Sequence, residues 1–516
     1  MLNMIRIGVV GFGATGLSFL AQFLKIYAKF GLSKKVSISI FEASSTNLSV
    51  GNAYRDVSNS FLLNSPADFF SIYPDDPSHF YRWVVQNFEK HKNKYPYISS
   101  ISSIKKTTFL PRSLAGFYLH DNFEEIVYLA KKNNYIDINT MAEEIIDINY
   151  KTDSLVLIDQ KYIQYEVDFV VLCTGTHYCR KYPTFYNCPQ FIQNPFLGNI
   201  TDKFNPLEND NTLILGTRLS AIDMAVFFYD NKFQGQIVMA SPSGSIPSVR
   251  SHLKSYKLPY FNRENAQKLA KQKKLTPDDF FDLVHQEISR LYKTKIPKYL
   301  IKLLPINAQK TLIKDLKSIK QNSALWQQLL LNFVDIIEIF WRSFSLKDKK
   351  NFIHNYNAII QRYTSSFPAI NAEKLIKMIN RGQLLTAKGP KNLCYDFSKN
   401  IFSADLKING KELTMEFKYI LNATGNEKNL LKTNSTFYLN LEKKNIVIFN
   451  SFGGLQVYTS SFKVKTKRGL KLNIYAAGAP TFGSFFFVDT LYTASLHAKC
   501  IAIDIAKQIK RDVIYQ

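Results

Sequence analysis

The chain has 516 residues, 46% of them hydrophobic and 14% aromatic, with 66 Lys and Arg against 41 Asp and Glu and a formal net charge of +25. That length exceeds one ordinary core and implies two or three domains. It contains no apolar run long and clean enough to span a bilayer, since residues 325–344, the best candidate, carry Asp335, Glu338 and Arg342 and read as an amphipathic helix.

From the N-terminus, Ile5-Arg-Ile-Gly-Val-Val-Gly-Phe-Gly-Ala-Thr-Gly-Leu17 runs an apolar strand into Gly11, Gly13 and Gly16 and then into a helix expected over 17–30. This is the pattern of a dinucleotide cradle. Gly11 permits the tight turn, Gly13 the approach of a pyrophosphate, and Gly16 the close packing of helix on strand, with phosphate oxygens facing free N–H groups at a helix N-terminus. A second strand, 36–42, ends in Glu42, where a ribose hydroxyl would sit. A single positive charge, patterned glycines and no small-residue cleavage site separate this start from a secretion signal.

Further along, Asp168-Phe-Val-Val-Leu-Cys-Thr-Gly175 is a buried strand ending in Thr-Gly, and Tyr419-Ile-Leu-Asn-Ala-Thr-Gly425 repeats that ending. Between them, Thr212-Leu-Ile-Leu-Gly-Thr-Arg-Leu-Ser-Ala-Ile-Asp223 forms another strand breaking at a glycine into a helix, which suggests a second Rossmann-like unit. Residues 262–381 read as mostly helical. The last unit, Leu472-Asn-Ile-Tyr-Ala-Ala-Gly-Ala-Pro-Thr-Phe-Gly483, breaks at Gly478 and leads into a helix expected over 484–508.

Five cysteines without a CxxC, and eight histidines without a close pair, argue against a zinc site or a redox dithiol and for a reducing, cytoplasmic setting. The charge is densest at 251–320, with 16 Lys and Arg against 6 Asp and Glu, in helical-looking sequence. A solvated helical face accounts for it better than a nucleic-acid site, and no nucleic acid is expected; an anionic surface or partner is the functional alternative. Asp75 and Asp76 beside Pro77 read as helix-start residues, and His79 and Trp83 as packing residues.

Gly51-Asn-Ala-Tyr54, Leu62-Leu-Asn-Ser-Pro66, Ser71-Ile-Tyr-Pro-Asp-Asp-Pro-Ser-His-Phe80 with Trp83, and Phe109-Leu-Pro-Arg112 with Gly116 and Tyr118 follow in an order that resembles the FAD/NAD(P)-binding flavoproteins. Within that family the resemblance is to the group holding flavin-dependent urate hydroxylase and the aspartate N-oxygenating, nitrosuccinate-forming monooxygenase. It covers roughly 4–250 and 410–508 and has no counterpart for 262–381. It implies an α/β fold with two Rossmann-like dinucleotide-binding domains and a helical insertion. The expected parts are 1–205, the first part of the FAD domain; 206–261, a second, NAD(P)H-type domain; 262–381, the insertion; and 382–516, the remainder with the C-terminal completion of the FAD domain.

The resemblance places Gly11, Gly13, Ala14, Thr15, Gly16, Glu42 and Ala43 on the ADP half of FAD, with Thr174 and Gly175 closing over it. It places Asn64, Pro66, Gly478 and Gly483 around the flavin ring. For NAD(P)H it offers Gly216, Arg218 and Ser220, but Arg218 stands where the family has glycine and Pro242 where it has an arginine, with Gly244, Pro247 and Arg250 nearby. The activity implied is an FAD-dependent monooxygenase that hydroxylates a small nitrogen-containing metabolite with NAD(P)H and oxygen. The alternatives are an FAD-dependent oxidase or dehydrogenase reduced by its own substrate, and a flavin-holding interaction protein.

Overall fold

The computed structural model describes residues 4–95, 98, 100–132, 134–152, 154–197, 209–251, 256–294, 297 and 307–514. The chain divides into two compact units, one made of Met1–Asp56, Ser65–His177 and Asn426–Gln516, the other of Val57–Asn64 and Tyr178–Gly425. The boundary expected after residue 205 lies outside the described residues, as do parts of the basic stretch 251–320.

In the first unit, β1 (Ile5–Val10), β2 (Val36–Phe41), β3 (Ile136–Met141) and β4 (Phe169–Leu172) join the C-terminal strand Ile474–Ala476 in one five-stranded sheet, ordered C-terminal strand, β4, β1, β2, β3. All its pairings are parallel, with Ile5 opposite Val36 and Ile7 opposite Phe169 around the central strand. A parallel sheet covered on both faces needs near-continuous apolar strands, and β1 supplies them with Ile7 and Val9 fully buried.

Helix α1 (Ala14–Lys29) packs against the last helix, Leu491–Ile514. It starts three residues ahead of the expected 17, because Gly13, in extended conformation, is its N-cap. The last helix starts later than the expected 484. Residues 481–485 turn back on themselves through Phe485 N–H to Thr481 O, 3.1 Å, and the cap falls at Thr490, whose hydroxyl accepts from Thr493 N–H at 3.2 Å.

Helices α2 (His79–His91) and α3 (Arg112–Lys132) complete the unit around an aromatic cluster. His79 Nδ1 lies 2.9 Å from the Tyr118 hydroxyl and Trp83 packs on Phe80, so both are packing residues. Asp75 and Asp76 stand ahead of the helix, whose N-cap is Ser78, and they hold ion pairs with Lys499 and Arg82 instead of capping it.

The second unit is built on β5 (Phe191–Ile192), β6 (Thr212–Leu215), β7 (Ile237–Ser241), a short strand β8 (Val249–Arg250) paired with β9 (Phe367–Pro368), and the strands β10 (Leu384–Asp396), β11 (Ile401–Ile408), β12 (Lys411–Phe417) and β13 (Tyr419–Asn422). Its main sheet runs β12-β11-β10-β7-β6-β13-β5, parallel from β10 to β5 and antiparallel at the β10–β12 end. Helix α4 (Leu219–Asp230) follows β6, and the region 262–381 contributes α5 (Arg263–Gln272), α6 (Pro277–Leu291), α7 (Ala308–Lys320), α8 (Leu330–Ser343) and α9 (Ala369–Asn380).

Two of these helices share the core of the second unit's sheet: Leu312 of α7 and Leu375 of α9 pack with Ile222 of α4 and Ile214 of β6. The eight residues 57–64 belong here because Phe61 enters the same core beside Phe227. No helix among the described residues is long and apolar enough to cross a membrane.

Candidate functional site

At the carboxyl end of the first unit's sheet the turn after β1 is held open as a cleft of about 200 Å³. Gly11 adopts φ +81°, and a Cβ there would stand 2.7 Å from the Cys173 carbonyl oxygen, so the strand-to-helix turn requires glycine. A Cβ on Gly13 would stand 3.0 Å from the Gly51 Cα. Two glycine backbones therefore face one another across the entrance to α1. Gly16 is buried, and a Cβ on it would meet the Gly11 carbonyl at 2.8 Å, which assigns it to helix-on-strand packing.

Of the residues singled out in the sequence, Gly11, Gly13, Ala14, Thr15, Glu42, Thr174 and Gly175 line this cleft. The first intrahelical donor of α1 is Leu17, bonded to Gly13 O at 3.0 Å. The N–H groups of Ala14, Thr15 and Gly16 thus stand at a helix N-terminus without intrahelical acceptors. Glu42 follows β2 and turns back to the turn itself, its Oε2 accepting the Phe12 N–H at 2.8 Å. Thr174 is positioned by a 2.6 Å hydrogen bond between its hydroxyl and that of Tyr438, a fully buried residue whose pKa is raised by desolvation.

The cleft is completed by Asn47, residues 50–53, Tyr54, and the start of the last helix at Asp489, Thr490 and Leu491. Burial pushes the Tyr54 phenol up to about 12, so it stays neutral. Among the described lining residues the charged groups are Glu42 and Asp489, and Asp489 is ion-paired with Lys428. Positive potential in the cleft comes from backbone N–H groups and helix N-termini, since no lining side chain is cationic.

The remaining expected residues stand outside the lining. Ala43 is exposed, and Pro66 is buried as the cap of a 3-10 turn. Gly478, at φ +68°, is buried and donates its N–H to His497 Nδ1 at 3.2 Å, while its neighbour Ala479 reaches the cleft. Gly483 is occupied in packing, because a Cβ there would run into the Asn450 side chain. Asn64 belongs to the second unit and Pro66 to the first.

Gly51, Asn47 and Thr490 were not assigned a site role from the sequence. The signals were present in the Gly-Asn-Ala-Tyr run at 51–54, and in the Asp-Thr pair at 489–490, which marks a helix start.

In the second unit the equivalent turn follows β6. Gly216 has φ +129° and faces the Ala423 carbonyl, which only glycine tolerates. Arg218 is the N-cap of α4; its side chain is exposed, yet the surrounding protein lowers its pKa by desolvation. Ser220 lies half-buried in the first turn of the helix. The loop after β7 folds against this turn, Thr217 Oγ1 donating to Ser245 O at 2.7 Å and lying 2.8 Å from Ser241 Oγ.

Residues 8–177 match the protein family described as FAD-NAD(P)-binding. That span contains the first cradle. No curated protein matches the sequence. Among solved structures, the reduced ornithine hydroxylase of Pseudomonas aeruginosa is 12% identical and aligns over 98% of this chain and 99% of its own, with a TM-score of 0.57. The L-lysine 6-monooxygenase of Pseudomonas syringae gives 12%, 98%, 99% and 0.55 in the same order. The FAD-bound cadaverine monooxygenase of desferrioxamine biosynthesis from Erwinia amylovora gives 12%, 98%, 95% and 0.55. At such identities the likeness is one of fold, a mixed α/β architecture with two dinucleotide-binding-type sheets.

Proposed function

We propose that this chain is an FAD-dependent monooxygenase that hydroxylates the nitrogen of a small amine with NAD(P)H and oxygen. The observation carrying the proposal is the cradle around Gly11 and Gly13, where a nucleotide's pyrophosphate fits the unbonded N–H groups of α1. Two features favour a bound dinucleotide: a Cβ would fill the space at Gly13 and Gly51, and the Asn47 Oδ1, buried on the cleft, has no hydrogen-bond partner. When bound, FAD supplies the redox chemistry, accepting hydride and activating oxygen.

This chain's own residues bind and orient. Ala14, Thr15 and Gly16 would offer N–H groups to phosphate, Glu42 would use its free lone pairs on a ribose hydroxyl, and Thr174 and Gly175 would close the far side. The last helix would add its positive end near Asp489 and Thr490. Ala43, Asn64, Pro66, Gly478 and Gly483 remain proposed FAD contacts from the family resemblance alone, and Gly216, Arg218 and Ser220 proposed NAD(P)H contacts. The structural neighbours, named for ornithine, lysine and cadaverine, favour an amine as substrate. The finer kinship with urate hydroxylase and the nitrosuccinate-forming enzyme belongs to the same proposal.

The test is the visible spectrum of the purified protein under anaerobic conditions as NADPH, then NADH, is added. A yellow protein that bleaches, and regains colour in air, supports the monooxygenase. Arg218 at the second turn and Pro242 after β7 favour one other reading, a flavoenzyme reduced by its own substrate. A yellow protein that ignores both nicotinamides but bleaches with an amine would put that reading first.

A further inference from the structure

Within the second unit, helix α7 (Ala308–Lys320) buries one side, where Ala308, Leu312 and Leu316 enter the core. At 3.6 residues per turn the opposite side collects Lys310, Ile313, Lys314, Lys317 and Lys320 within an arc of about 120°. All five are exposed. The one carboxylate of the helix, Asp315, lies off that arc and turns to Val249 N–H and Arg362. Helix α9 (Ala369–Asn380) lies antiparallel beside it: Gln309 Nε2 donates to Asn380 Oδ1 at 2.8 Å, and at the other end Lys320 Nζ stands 3.9 Å from Glu373. The exposed side of α9 adds Ile370, Glu373 and Lys377, and the exposed Arg381 follows as its C-cap.

Six cations and a single carboxylate, Glu373, thus share one side of the helix pair. Lys320 reaches Glu373, but no carboxylate among the described residues makes an ion pair with Lys310, Lys314, Lys317, Lys377 or Arg381. Other lysines of the unit are paired, Lys374 with Asp230 at 2.7 Å and Lys273 with Asp279 at 2.5 Å. Like charges three and four residues apart destabilise a helix, and Lys310, Lys314, Lys317 and Lys320 stand at those spacings one after another. Core packing holds α7 in place, and the repulsion on its outer side is left for an external anion to relieve.

The same side also carries apolar groups, Ile313 being 50% and Ile370 54% exposed. Singly they would be ordinary surface residues. Among unpaired lysines they give the composition of a surface that rests on a bilayer, apolar side chains entering the headgroup layer while cations meet lipid phosphates. Neither helix contains an aromatic residue on which a nucleobase could stack.

We infer that the exposed side of α7 and α9 is a docking surface for an anionic lipid bilayer, with Lys310, Lys314 and Lys317 supplying the attraction and Ile313 the apolar contact. The inference is independent of the flavin reading, since every residue in it belongs to the second unit and none lines the first cradle.

The experiment is co-sedimentation of the full-length protein with vesicles of phosphatidylcholine alone, and of phosphatidylcholine mixed with phosphatidylglycerol to about one third anionic lipid. The parent is expected to sediment with the anionic vesicles only, and less as salt is raised. Lys310→Gln, Lys314→Gln and Lys317→Gln combined should weaken that binding roughly a hundredfold, at about fivefold per lysine. The combined variant should keep or raise the vesicle-free unfolding midpoint, because repulsion along α7 has been removed. Ile313→Ser should weaken binding several-fold without changing its salt dependence. The control removes three exposed lysines of the first unit, Lys29→Gln, Lys90→Gln and Lys131→Gln, and should bind as the parent does.

A parent that ignores anionic vesicles at low salt, or binds both kinds equally, overturns the inference. An equal loss in the control overturns it too, since overall charge and not this face would then be responsible. Tighter binding to a uridine homopolymer than to vesicles, lost in the α7 variant, would give the face to nucleic acid instead of lipid. Bleaching of a flavin by NADPH bears on none of these outcomes.

Discussion

Replacing Glu42 with alanine separates the two jobs its carboxylate has in the first cradle. Oε2 accepts the N–H of Phe12 at 2.8 Å, and Phe12 is fully buried, so that N–H loses its acceptor when the carboxylate is gone. An orphaned buried donor costs about 1–3 kcal/mol, and the hydrogen bond to a charged acceptor is worth about 1.5–3 kcal/mol. Glu42→Ala should therefore lower the stability of the FAD-free protein by about 2 kcal/mol. Glu42→Gln keeps an acceptor in place but not the charge, and should cost about half as much.

Because Phe12 sits between Gly11 and Gly13, the same loss unsettles the turn that would hold phosphate, and FAD affinity should fall by about tenfold or more in the alanine variant. The measurements are urea unfolding of the apoprotein, followed by circular dichroism, and titration of apoprotein with FAD, followed by quenching of flavin fluorescence. An alanine variant whose apoprotein unfolds at the parent's urea concentration would refute the structural half of this reasoning. A glutamine variant that recovers stability but not FAD affinity would assign the charge itself to the nucleotide.

At Gly13, a Cβ would stand 3.0 Å from the Gly51 Cα, backbone that cannot swing aside, so Gly13→Ala should reduce copurified FAD and Gly13→Trp should give colourless protein, read from the ratio of flavin to protein absorbance. Full occupancy in Gly13→Trp would remove FAD from this cradle. Arg218→Gly should weaken nicotinamide binding several-fold, since an exposed guanidinium at the N-cap of α4 can pair with phosphate. Tighter binding would instead show that the side chain obstructs the site.

His177, whose Nε2 is buried without a partner, has a pKa held below its usual 6.5 by desolvation. The folded state then refuses a proton that the unfolded chain accepts, so its stabilising contribution is complete above about pH 6.5 and is lost as pH falls through the folded value. The slope of stability against pH below 6.5 should decrease by up to one proton in His177→Gln; an unchanged slope would remove His177 as the source.

Much of the first unit is legible locally. The apolar run 5–10, the three glycines after it and the carboxylate at 42 describe a strand, a turn and a second strand whose chemistry depends on near neighbours in sequence, and periodicity and glycine placement report such features directly. The helical character of 262–381 is legible for the same reason, as is the strand ending in Thr-Gly at 174–175.

What folding alone decides is every meeting of distant segments. Gly51 faces Gly13, Tyr438 holds Thr174, and the strand at 474–476 pairs with β4, across separations that no local pattern records. The last helix starts at 491 and not at 484 because 481–485 forms a turn that Ser484 Oγ ties to distant chain, donating to Leu455 O and accepting from Val457 N–H. Gly483 was spent on packing for a similar reason: an Asn450 side chain arrives there from elsewhere in the chain.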